Sequence, residues 1–356
     1  MTNGIYLDWA ATAPLDPVAI AAMTAAARDW ANPSSVHAAG RAAAARLADA
    51  RRDVSSALGV DAASVVFTGG GTEALGLALA QADTHLISAV EHDAVRAQAP
   101  GATIIPVDRD GVVDLGALAA TLVRTERALV AVMHVNNETG VIQPVADVAR
   151  TVAAAGGRLL VDGVQSAGKL PLPDADFVAV SAHKLGGPPG VGALIVRDAV
   201  TPLVRGGGQE RGQRAGTENV PGIVAFAAAL TARVADGGWV DRAAALRARL
   251  EAQLPGAQIH GARAPRMGTI ACIGLPGVAA MTQLMALDLA GFGVSAGAAC
   301  SSGKVRTSHV LAAMGVAAPG EAIRVSLGWT TTAAEIDAFA TAWRAMAARL
   351  GTTRLG

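Results

Sequence analysis

Cysteine, aromatic residues and charge are all scarce in this chain. Of its 356 residues, two are cysteine, 3% are aromatic and 16% are charged. The two cysteines, Cys272 and Cys300, argue against a disulfide framework, so we expect a reducing compartment, the cytoplasm. The 29 basic and 29 acidic residues cancel. This balance argues against sequence-independent binding of nucleic acid, because such binding needs clustered Lys and Arg.

Long uninterrupted apolar runs are also absent. The mean hydropathy is +0.39, but alanine supplies most of it. The most apolar stretch, residues 278–299, is interrupted by Thr282, Gln283 and Asp288, whereas a membrane-spanning helix needs roughly 20 apolar residues in a row. The N-terminal MTNGIYLDWAATAP has neither the basic segment nor the apolar core of a signal peptide. We therefore expect a water-soluble protein with no membrane segment.

Short apolar runs alternate with alanine-rich amphipathic segments in the first two thirds of the chain. Such runs predict strands at 64–68, 84–90, 128–135, 158–161, 176–181 and 192–196, with helices at 72–80 and 145–155 among them. Strands that are apolar throughout and separated by helices indicate an α/β fold with a mainly parallel sheet covered on both faces. Ligands of such sheets lie beyond the carboxyl ends of the strands.

The pattern changes after about residue 245. Shorter strands are predicted at 258–260, 269–273, 293–295 and 322–327, among helices at 278–290, 308–314 and 332–350. At roughly 150 residues per domain, the length also predicts two domains. We assign residues 14–245 to a large domain, and residues 1–13 and 246–356 to a smaller α+β domain that contains Cys300.

A glycine-rich turn separates a predicted strand from a predicted helix. Residues 67–73 are FTGGGTE. Glycines such as Gly71 let the backbone approach an anion, and the helix N-terminus supplies unpaired N–H groups. Thr72 is predicted to cap the helix, and its hydroxyl also suits a phosphate. Neither a Walker motif nor a dinucleotide motif is present, and an ordinary turn with an N-cap explains this segment equally well.

Two charged residues follow consecutive predicted strands. Asp162 closes an apolar strand, where a carboxylate is costly to desolvate unless it meets a cation or several donors. Lys184 follows the next strand and precedes a stiff Gly/Pro turn; such a lysine forms a Schiff base if its surroundings lower its pKa. Taken separately, Asp162 is also explained as a turn cap and Lys184 as a solvated lysine.

The order of these three features in the chain favours a specific ligand. The glycine turn supplies a phosphate site, Asp162 a partner for a pyridinium nitrogen, and Lys184 an amine for a Schiff base. These are the three groups that pyridoxal 5'-phosphate (PLP) requires. The sequence therefore predicts a PLP site at the carboxyl edge of the sheet.

The two cysteines have different surroundings. Cys272 lies in an apolar strand-like run and is predicted to be a core residue. Cys300 stands among small and polar residues, with Lys304 and Arg306 nearby to favour a thiolate. A loop cysteine can be incidental, but an accessible thiol is what a nucleophile needs to reach a bound substrate.

One arginine lies inside a predicted strand. Alternation over residues 323–327 places Arg324 on the face opposite Ile323, Val325 and Leu327. An inward arginine needs a carboxylate, which its planar fork binds with two hydrogen bonds. An internal Asp or Glu satisfies that need as well as the α-carboxylate of a substrate does; we favour the substrate.

Together these motifs resemble a known family. Over nearly the whole chain, in collinear order, they are similar to the cysteine desulfurases of the Nif/Isc group, in the class V aminotransferase branch of fold-type I PLP enzymes. The matching segments include YLD at 6–8, NPSSVH at 32–37, EHDAV at 91–95, VNNETG at 135–140, DGVQ at 162–165, SAHK at 181–184, GGGQE at 206–210, RAGTEN at 214–219, SAGAAC at 295–300 and IRVSLG at 323–328. The resemblance implies a large domain with a sheet of the seven-stranded type.

The resemblance also implies which residues bind the cofactor ring. Lys184 would hold PLP covalently and move the substrate Cα proton. Asp162 would pair with the pyridinium nitrogen, Gln165 would bind the ring hydroxyl, and His92 would stack on the ring.

The phosphate and the substrate would be held by a second set of matching residues. The implied phosphate ligands are Gly71, Thr72, Ser181, His183 and, reaching the neighbouring subunit, Thr217. The role of Thr217 makes a homodimer part of the design. Asn137 and Arg324 would bind the substrate carboxylate.

The implied reaction converts L-cysteine to L-alanine. Thiolate Cys300 would attack the substrate sulfur and retain it as a persulfide, for delivery to a sulfur acceptor in iron–sulfur cluster, thio-cofactor or tRNA pathways. The sequence does not identify that acceptor. The chain departs from the family pattern at Trp9-Ala10, Ala13, Leu75-Gly76 and Ala271, positions that affect pocket polarity and partner choice without removing a chemical role.

Three other interpretations are weighed against this one. A selenocysteine lyase, or another PLP-dependent β-elimination enzyme, would not need the thiol of Cys300. A non-catalytic binding protein would not need Lys184, Asp162, His92 and Arg324 all intact. A metalloenzyme is disfavoured, because His92 and His183 lack partners at metal-ligand spacing.

Overall fold

A computed structural model describes residues 4–297 and 307–351 of the chain. Within these ranges the strands are β1 (Ile5–Tyr6), β2 (Val65–Thr68), β3 (His85–Ser88), β4 (Thr103–Ile105), β5 (Leu129–Met133), β6 (Arg158–Asp162), β7 (Phe177–Ser181), β8 (Gly192–Val196), β9 (Gln258–Ile259), β10 (Ile270–Gly274), β11 (Phe292–Gly293) and β12 (Ala322–Ser326). The α-helices are α1 (Pro17–Arg28), α2 (Ala38–Leu58), α3 (Gly71–Leu79), α4 (Asp93–Arg96), α5 (Leu115–Leu122), α6 (Val145–Ala154), α7 (Val220–Ala235), α8 (Trp239–Ala252), α9 (Ala280–Leu289), α10 (His309–Ala313) and α11 (Ala333–Gly351).

The large sheet has seven strands in the order β2-β8-β7-β6-β5-β3-β4. Strands β7, β6, β5, β3 and β4 pair in parallel, and β8 is antiparallel to both of its neighbours. The predicted mainly parallel α/β sheet is confirmed. Its edge strand β4 was not predicted, because it has only three residues, TII, and so gives too short an apolar run.

Both faces of the sheet are covered by apolar side chains. Val130 and Val132 of β5 belong to one buried cluster, and Leu129 and Ala131 belong to the cluster on the other face. This alternation follows from the two-residue period of a strand. Alanine lets the helices on one side approach closely, as where Ala19 of α1 is buried with residues of α7.

A second, smaller core lies around an antiparallel sheet of order β12-β10-β9. Its cluster includes Leu7, Leu250, Ile323 and Trp343, and β1 pairs in parallel with β11 beside it. The alternation predicted for β12 is confirmed, since Ile323, Val325 and Leu327 all belong to this core. The domain boundaries at 13/14 and 245/246 stay a prediction.

No single helix within the described ranges is both long and apolar enough to cross a membrane. Helices α7 and α8 together reach the required length and composition, but they are bent by 70° at the break between them.

A strained turn beside the large sheet is held by a buried ion pair. Glu210 and Arg211 adopt left-handed backbone conformations, with φ of 47° and 57°, which are costly for residues other than glycine. Arg51 donates to the Glu210 carboxylate at 2.8 and 2.6 Å, and the Phe67 N–H donates to it at 2.9 Å. The carboxylate thereby links this turn to α2 and β2.

We expect Arg51→Met to lower the free energy of unfolding by about 3–5 kcal/mol, because it leaves the Glu210 carboxylate buried without its cation. The adjacent Arg52 pairs with Asp49 on the exposed side of the same helix. Arg52→Met is therefore the matched control, with an expected loss of about 0–1 kcal/mol. Urea unfolding of both variants measures the difference; equal losses would contradict the role given to Glu210.

Candidate active site

The carboxyl ends of the large sheet open into a cavity of about 350 Å³. Ten of the predicted site residues line it: Gly71, Thr72, His92, Asn137, Asp162, Gln165, Ser181, His183, Lys184 and Arg324. Thr217 is exposed and is not among the lining residues. Cys300 lies outside the described residues. The structure thus brings together residues that span more than two thirds of the chain.

Lys184 ends a short 3-10 turn that follows β7 directly. Its Nζ donates to the carbonyl oxygens of Ala10 and Ala11, at 2.7 Å each. Burial and the Lys184 charge lower the pKa of the neighbouring His183 to about 4, so this imidazole is neutral near pH 7. Its Nδ1 lies 3.2 Å from the Thr12 hydroxyl. The N-terminal segment therefore covers Lys184. Because these contacts are made by backbone carbonyls, no motif of side chains could have predicted them.

Asp162 is the last residue of β6 and is buried beneath the cavity. One carboxylate oxygen accepts the Val164 N–H at 2.9 Å. Burial raises the pKa of Asp162, and the charges of His92 and Lys184 act in the opposite direction. A carboxylate in this position favours a cationic ligand group above it.

His92 is fixed at the start of α4. Its Nδ1 accepts the Ala94 N–H at 3.0 Å, so the proton of the neutral ring lies on Nε2. Behind it, the fully buried Glu91 accepts the Met133 N–H at 2.7 Å. Burial raises the pKa of Glu91 well above its ordinary value, so this carboxyl group favours its neutral form. The sequence motif contained Glu91 but gave it no role.

The glycine turn forms the N-terminus of α3 at the edge of the cavity. The helix begins at Gly71 and its capping position is Gly70, without a side-chain cap. The prediction that Thr72 caps the helix is wrong, because the helix starts one residue earlier; Thr72 lines the cavity instead. A Cβ on Gly71 would lie 2.7 Å from a methyl of Val164, so only glycine leaves room for this tight approach.

Arg324 points from β12 towards the cavity and already has an internal partner. It donates to the Asp8 carboxylate at 2.8 Å and to the Asn137 carbonyl at 2.9 Å. Its buried Nε has no partner among the described residues. The structure therefore shows both of the arrangements that the sequence left open: an ion pair with Asp8, and a guanidinium that also lines the cavity. Asp8 belongs to the YLD motif, but sequence reasoning gave it no partner.

Cys272 is buried in β10, where it lies opposite Arg324 in the strand pairing. Burial raises the pKa of its thiol well above the ordinary value, which disfavours the nucleophilic thiolate. The prediction of a core residue is confirmed.

The departures from the family pattern are accommodated by packing. The Trp9 ring is edge-on to Trp329, with centroids 4.7 Å apart, and Leu75 contributes an apolar wall to the cavity. Ala271 is buried in the smaller core.

The residues of the cavity fit PLP. The Gln165 amide donates to the Ala10 carbonyl at 2.9 Å, while its buried Oε1 has no partner among the described residues and suits a ring hydroxyl donor. Asp162 suits a pyridinium nitrogen, and the uncapped N-terminus of α3 suits a phosphate. No group of three or more His, Cys, Asp or Glu side chains is placed to hold a metal ion in the part of the chain that the structure describes.

Comparison with known proteins gives a consistent result. The model of the family "Aminotransferase class-V" matches residues 5–339. A cysteine desulfurase of Cereibacter sphaeroides is 44% identical, with 94% of this chain and 93% of that relative covered. A NifS-like protein from Rickettsia africae superposes with a TM-score of 0.89 at 32% identity, covering 97% of this chain and 99% of that one. Another solved structure, titled SspA in complex with cysteine, has a TM-score of 0.78 at 25% identity and covers 91% of this chain and 98% of that one.

The sheet of fold-type I PLP enzymes, the site at its carboxyl edge and the relatives over almost the whole length agree with one another. The chain belongs to the class V aminotransferase family and, within it, to the cysteine desulfurases of the Nif/Isc type.

Proposed function

We propose that this protein binds PLP and converts L-cysteine to L-alanine, with transfer of the sulfur to Cys300 as a persulfide. The observation that carries the proposal is the convergence of Lys184, Asp162 and Arg324 on one cavity. An amine for the covalent link, a carboxylate for the pyridinium and a guanidinium for the substrate carboxylate are thus placed around one ligand. The cysteine desulfurases among the relatives and the cysteine-bound neighbour support the same substrate.

The cofactor, when bound, supplies an electron sink for the carbanion formed at the substrate Cα. Several residues of the cavity would hold it. Asp162 would stabilise the pyridinium proton, Gln165 would accept from the ring hydroxyl and His92 would contact the ring. The phosphate ligands that we propose are Gly71, Thr72, Ser181 and His183 from this chain, and Thr217 from its neighbour.

Lys184 serves as the proton carrier of the reaction. Its Nζ takes the proton from the substrate Cα and later returns one to the substrate. Asn137 and Arg324 orient the substrate by its carboxylate, and the Asp8 carboxylate holds the guanidinium in place. This orientation keeps the Cα–H bond directed at the amine, which is how positioning lowers a barrier.

Sulfur transfer requires a thiolate, and we assign that role to Cys300. Its sulfur attacks the substrate sulfur, an S–S bond forms and the Cβ–S bond breaks. The electron pair of the broken bond stays with the carbon fragment, which takes up a proton and leaves as alanine. Cys272 cannot replace it, because its thiol is buried and its pKa is raised.

We further propose that the protein acts as a cytoplasmic homodimer that passes sulfur to an acceptor protein. Support for the dimer comes from exposed apolar side chains: Trp30 and Val36 are 85% and 89% exposed. Pro33 and Ser34, which lie between these two residues in the sequence, line a surface cleft together with Gly208. Gly208 is close in sequence to Thr217, the residue proposed to reach the neighbouring subunit.

The direct test is to supply L-cysteine with a reductant and measure alanine and sulfide. We expect Cys300→Ala to show the spectral change of cysteine binding but to release no sulfide. Cys272→Ala, the matched control, is expected to turn over at a rate close to wild type. Turnover of selenocysteine but not cysteine by both wild type and Cys300→Ala would instead support a lyase that works by β-elimination.

Asp162→Asn is expected to separate stability from cofactor binding. Since burial raises the pKa of Asp162, its ionised form destabilises the fold in the absence of the cofactor. The neutral amide is therefore expected to raise Tm of the cofactor-free protein by roughly 2 °C, about 1 kcal/mol, while PLP affinity falls by about 10-fold or more, as for a lost charge-assisted bond.

The gain in Tm has a defined pH dependence. When the pKa of an Asp is raised in the folded state, the protein loses stability as the pH rises above the ordinary Asp pKa of about 4. The advantage of Asp162→Asn is thus expected to vanish below about pH 4 and to be complete above the folded-state pKa. Asp174→Asn, at a side chain that is 92% exposed, is the control. A lower Tm and an unchanged PLP affinity in Asp162→Asn would contradict the proposed role of Asp162 as the partner of the pyridinium.

Arg324→Ala is expected to raise KM for cysteine by about 30- to 150-fold, or 2–3 kcal/mol, as for a lost charge-assisted contact. Because this change also leaves Asp8 unpaired, the double variant Asp8→Ala/Arg324→Ala is the control. Steady-state kinetics is expected to give a high KM in both. A wild-type KM in the double variant would mean that Arg324 serves only its ion pair.

A further inference from the structure

The chain has almost no lysine. Of its 29 Lys and Arg residues, only Lys169, Lys184 and Lys304 are lysines. Arginine keeps its proton at all accessible pH values, whereas a lysine releases its proton readily when it is buried. Among the basic residues of this chain, only the three lysines can therefore release a proton when buried. Lys184 has such a role, Lys304 lies outside the described residues, and Lys169 has no role assigned so far.

Lys169 lies directly behind Lys184. Both lysines line a cavity of about 10 Å³, which is the space that one water molecule occupies. The rings of Trp9, Trp239 and Trp329 form the apolar part of its wall. Lys184 also lines the large cavity, so its side chain stands between the substrate site and this small chamber.

The small chamber has the polar groups that a water needs. Gln165 Oε1 and Thr269 Oγ1 belong to residues of its wall, and both are buried with no hydrogen-bond partner in the described part of the chain. The Ala10 carbonyl in the wall already accepts from both Lys184 and Gln165. A buried water typically makes about three hydrogen bonds, and the Gln165 and Thr269 oxygens with the two amines supply that number. The Gln165 oxygen has two lone pairs, so it can accept from this water and from a ring hydroxyl.

We propose that Lys169 exchanges protons with Lys184 through a water molecule in this chamber. The proposal rests on the proposed function, in which Lys184 takes up the substrate Cα proton. Lys169 is thus a positioning residue: it acts on the reaction only through Lys184.

The charges around the pair agree with this exchange. Burial and the charge of Lys184 lower the pKa of Lys169 to about 7. On the substrate side, Asp162, His92 and His183 face Lys184. On the outer side, Lys169 shares a cleft with Arg233 and Asp236.

The outer groups do not compete for the proton. Arg233 donates to the buried Asp16 carboxylate at 2.8 Å, and Asp236 accepts from Arg242 at 2.7 Å. Each of the two is therefore engaged in an ion pair of its own, which leaves Lys169 to respond to Lys184.

The step balances without any redox partner. The Cα–H bond breaks and its proton joins the neutral Lys184 amine. One proton of the resulting ammonium passes to the water, and one proton of the water passes to neutral Lys169. The electron pair of the Cα–H bond stays with the substrate, and Lys184 is a neutral amine again. Lys169 holds the proton until the reverse path returns it to Lys184, which passes it to the substrate.

The first test measures proton release at Lys169 without measuring activity. The full-length holoenzyme is labelled with ¹³C-lysine, which gives signals from only three lysines, and Lys169→Arg identifies the signal of Lys169 by its loss. We expect the Lys169 signal to titrate well below the ordinary lysine range, because burial lowers the pKa of Lys169 whether or not Lys184 is linked to the cofactor. Titration near the ordinary lysine value of about 10.4 would overturn the proposal, and this measurement on wild type stands even if a variant does not fold.

The second test separates proton exchange from charge and packing. Lys169→Arg keeps the charge but cannot release a proton, and Lys169→Met keeps the length but has neither. We expect both to lower kcat by about 10-fold with unchanged KM for cysteine, and to lose the limb of the pH profile near 7. A wild-type kcat and pH profile in Lys169→Arg would overturn the proposal. Arg150→Met on the exposed face of α6 is the control and is expected to match wild type.

The visible absorbance of the bound cofactor distinguishes the two proposals. A wild-type protein that remains colourless after PLP addition overturns the proposed function and, with it, this inference. A wild-type protein that binds PLP and turns over cysteine, with Lys169 titrating as an ordinary lysine, overturns only the inference.

Discussion

Strands β3, β5, β6 and β7 run in the same direction, so each delivers the residues that follow it to one edge of the sheet. This parallel pairing is the constraint on which the site depends. Asp162 ends β6 and Lys184 follows β7, so an apolar strand holds each group in place. Burial at this edge makes a bare charge costly, and that cost is what favours a cofactor with complementary charges.

Three buried carboxyl groups lie in this region, and their partners differ. Glu91 accepts a hydrogen bond from the backbone N–H of Met133, and Glu138 accepts one from the Ser308 hydroxyl at 2.5 Å. Burial raises the pKa of Glu138 as it does that of Glu91, and with neutral donors as hydrogen-bond partners both favour the protonated form. Asp162 alone faces the cavity with His92 and Lys184 near it. The negative charge is thereby concentrated where a pyridinium would bind.

The N-terminal segment connects the two cores through the site. β1 pairs with β11 in the smaller unit, Asp8 holds Arg324, and the carbonyls of Ala10 and Ala11 accept from Lys184. A shift of this segment would therefore move the Arg324 guanidinium and the Lys184 amine together. The tryptophan cluster at Trp9 and Trp329 fixes its position by packing.

The mainly parallel sheet and the strand β8 at 192–196 are predictable from local signals, namely apolar runs and turn residues. Five of the residues that line the cavity follow from turn glycines and from polar residues at or within strands: Gly71, Thr72, Asp162, Lys184 and Arg324. The other five predicted residues of the cavity rest on the family resemblance: His92, Asn137, Gln165, Ser181 and His183. Three features depend on the packing of the folded chain: Gly70 rather than Thr72 caps α3, Asp8 pairs with Arg324, and Lys169 shares a chamber with Lys184. Asp8 and Arg324 are 316 positions apart, and the lysines share a chamber only because β6 and β7 are neighbours in the sheet. Such contacts depend on how distant segments pack, which no local pattern encodes.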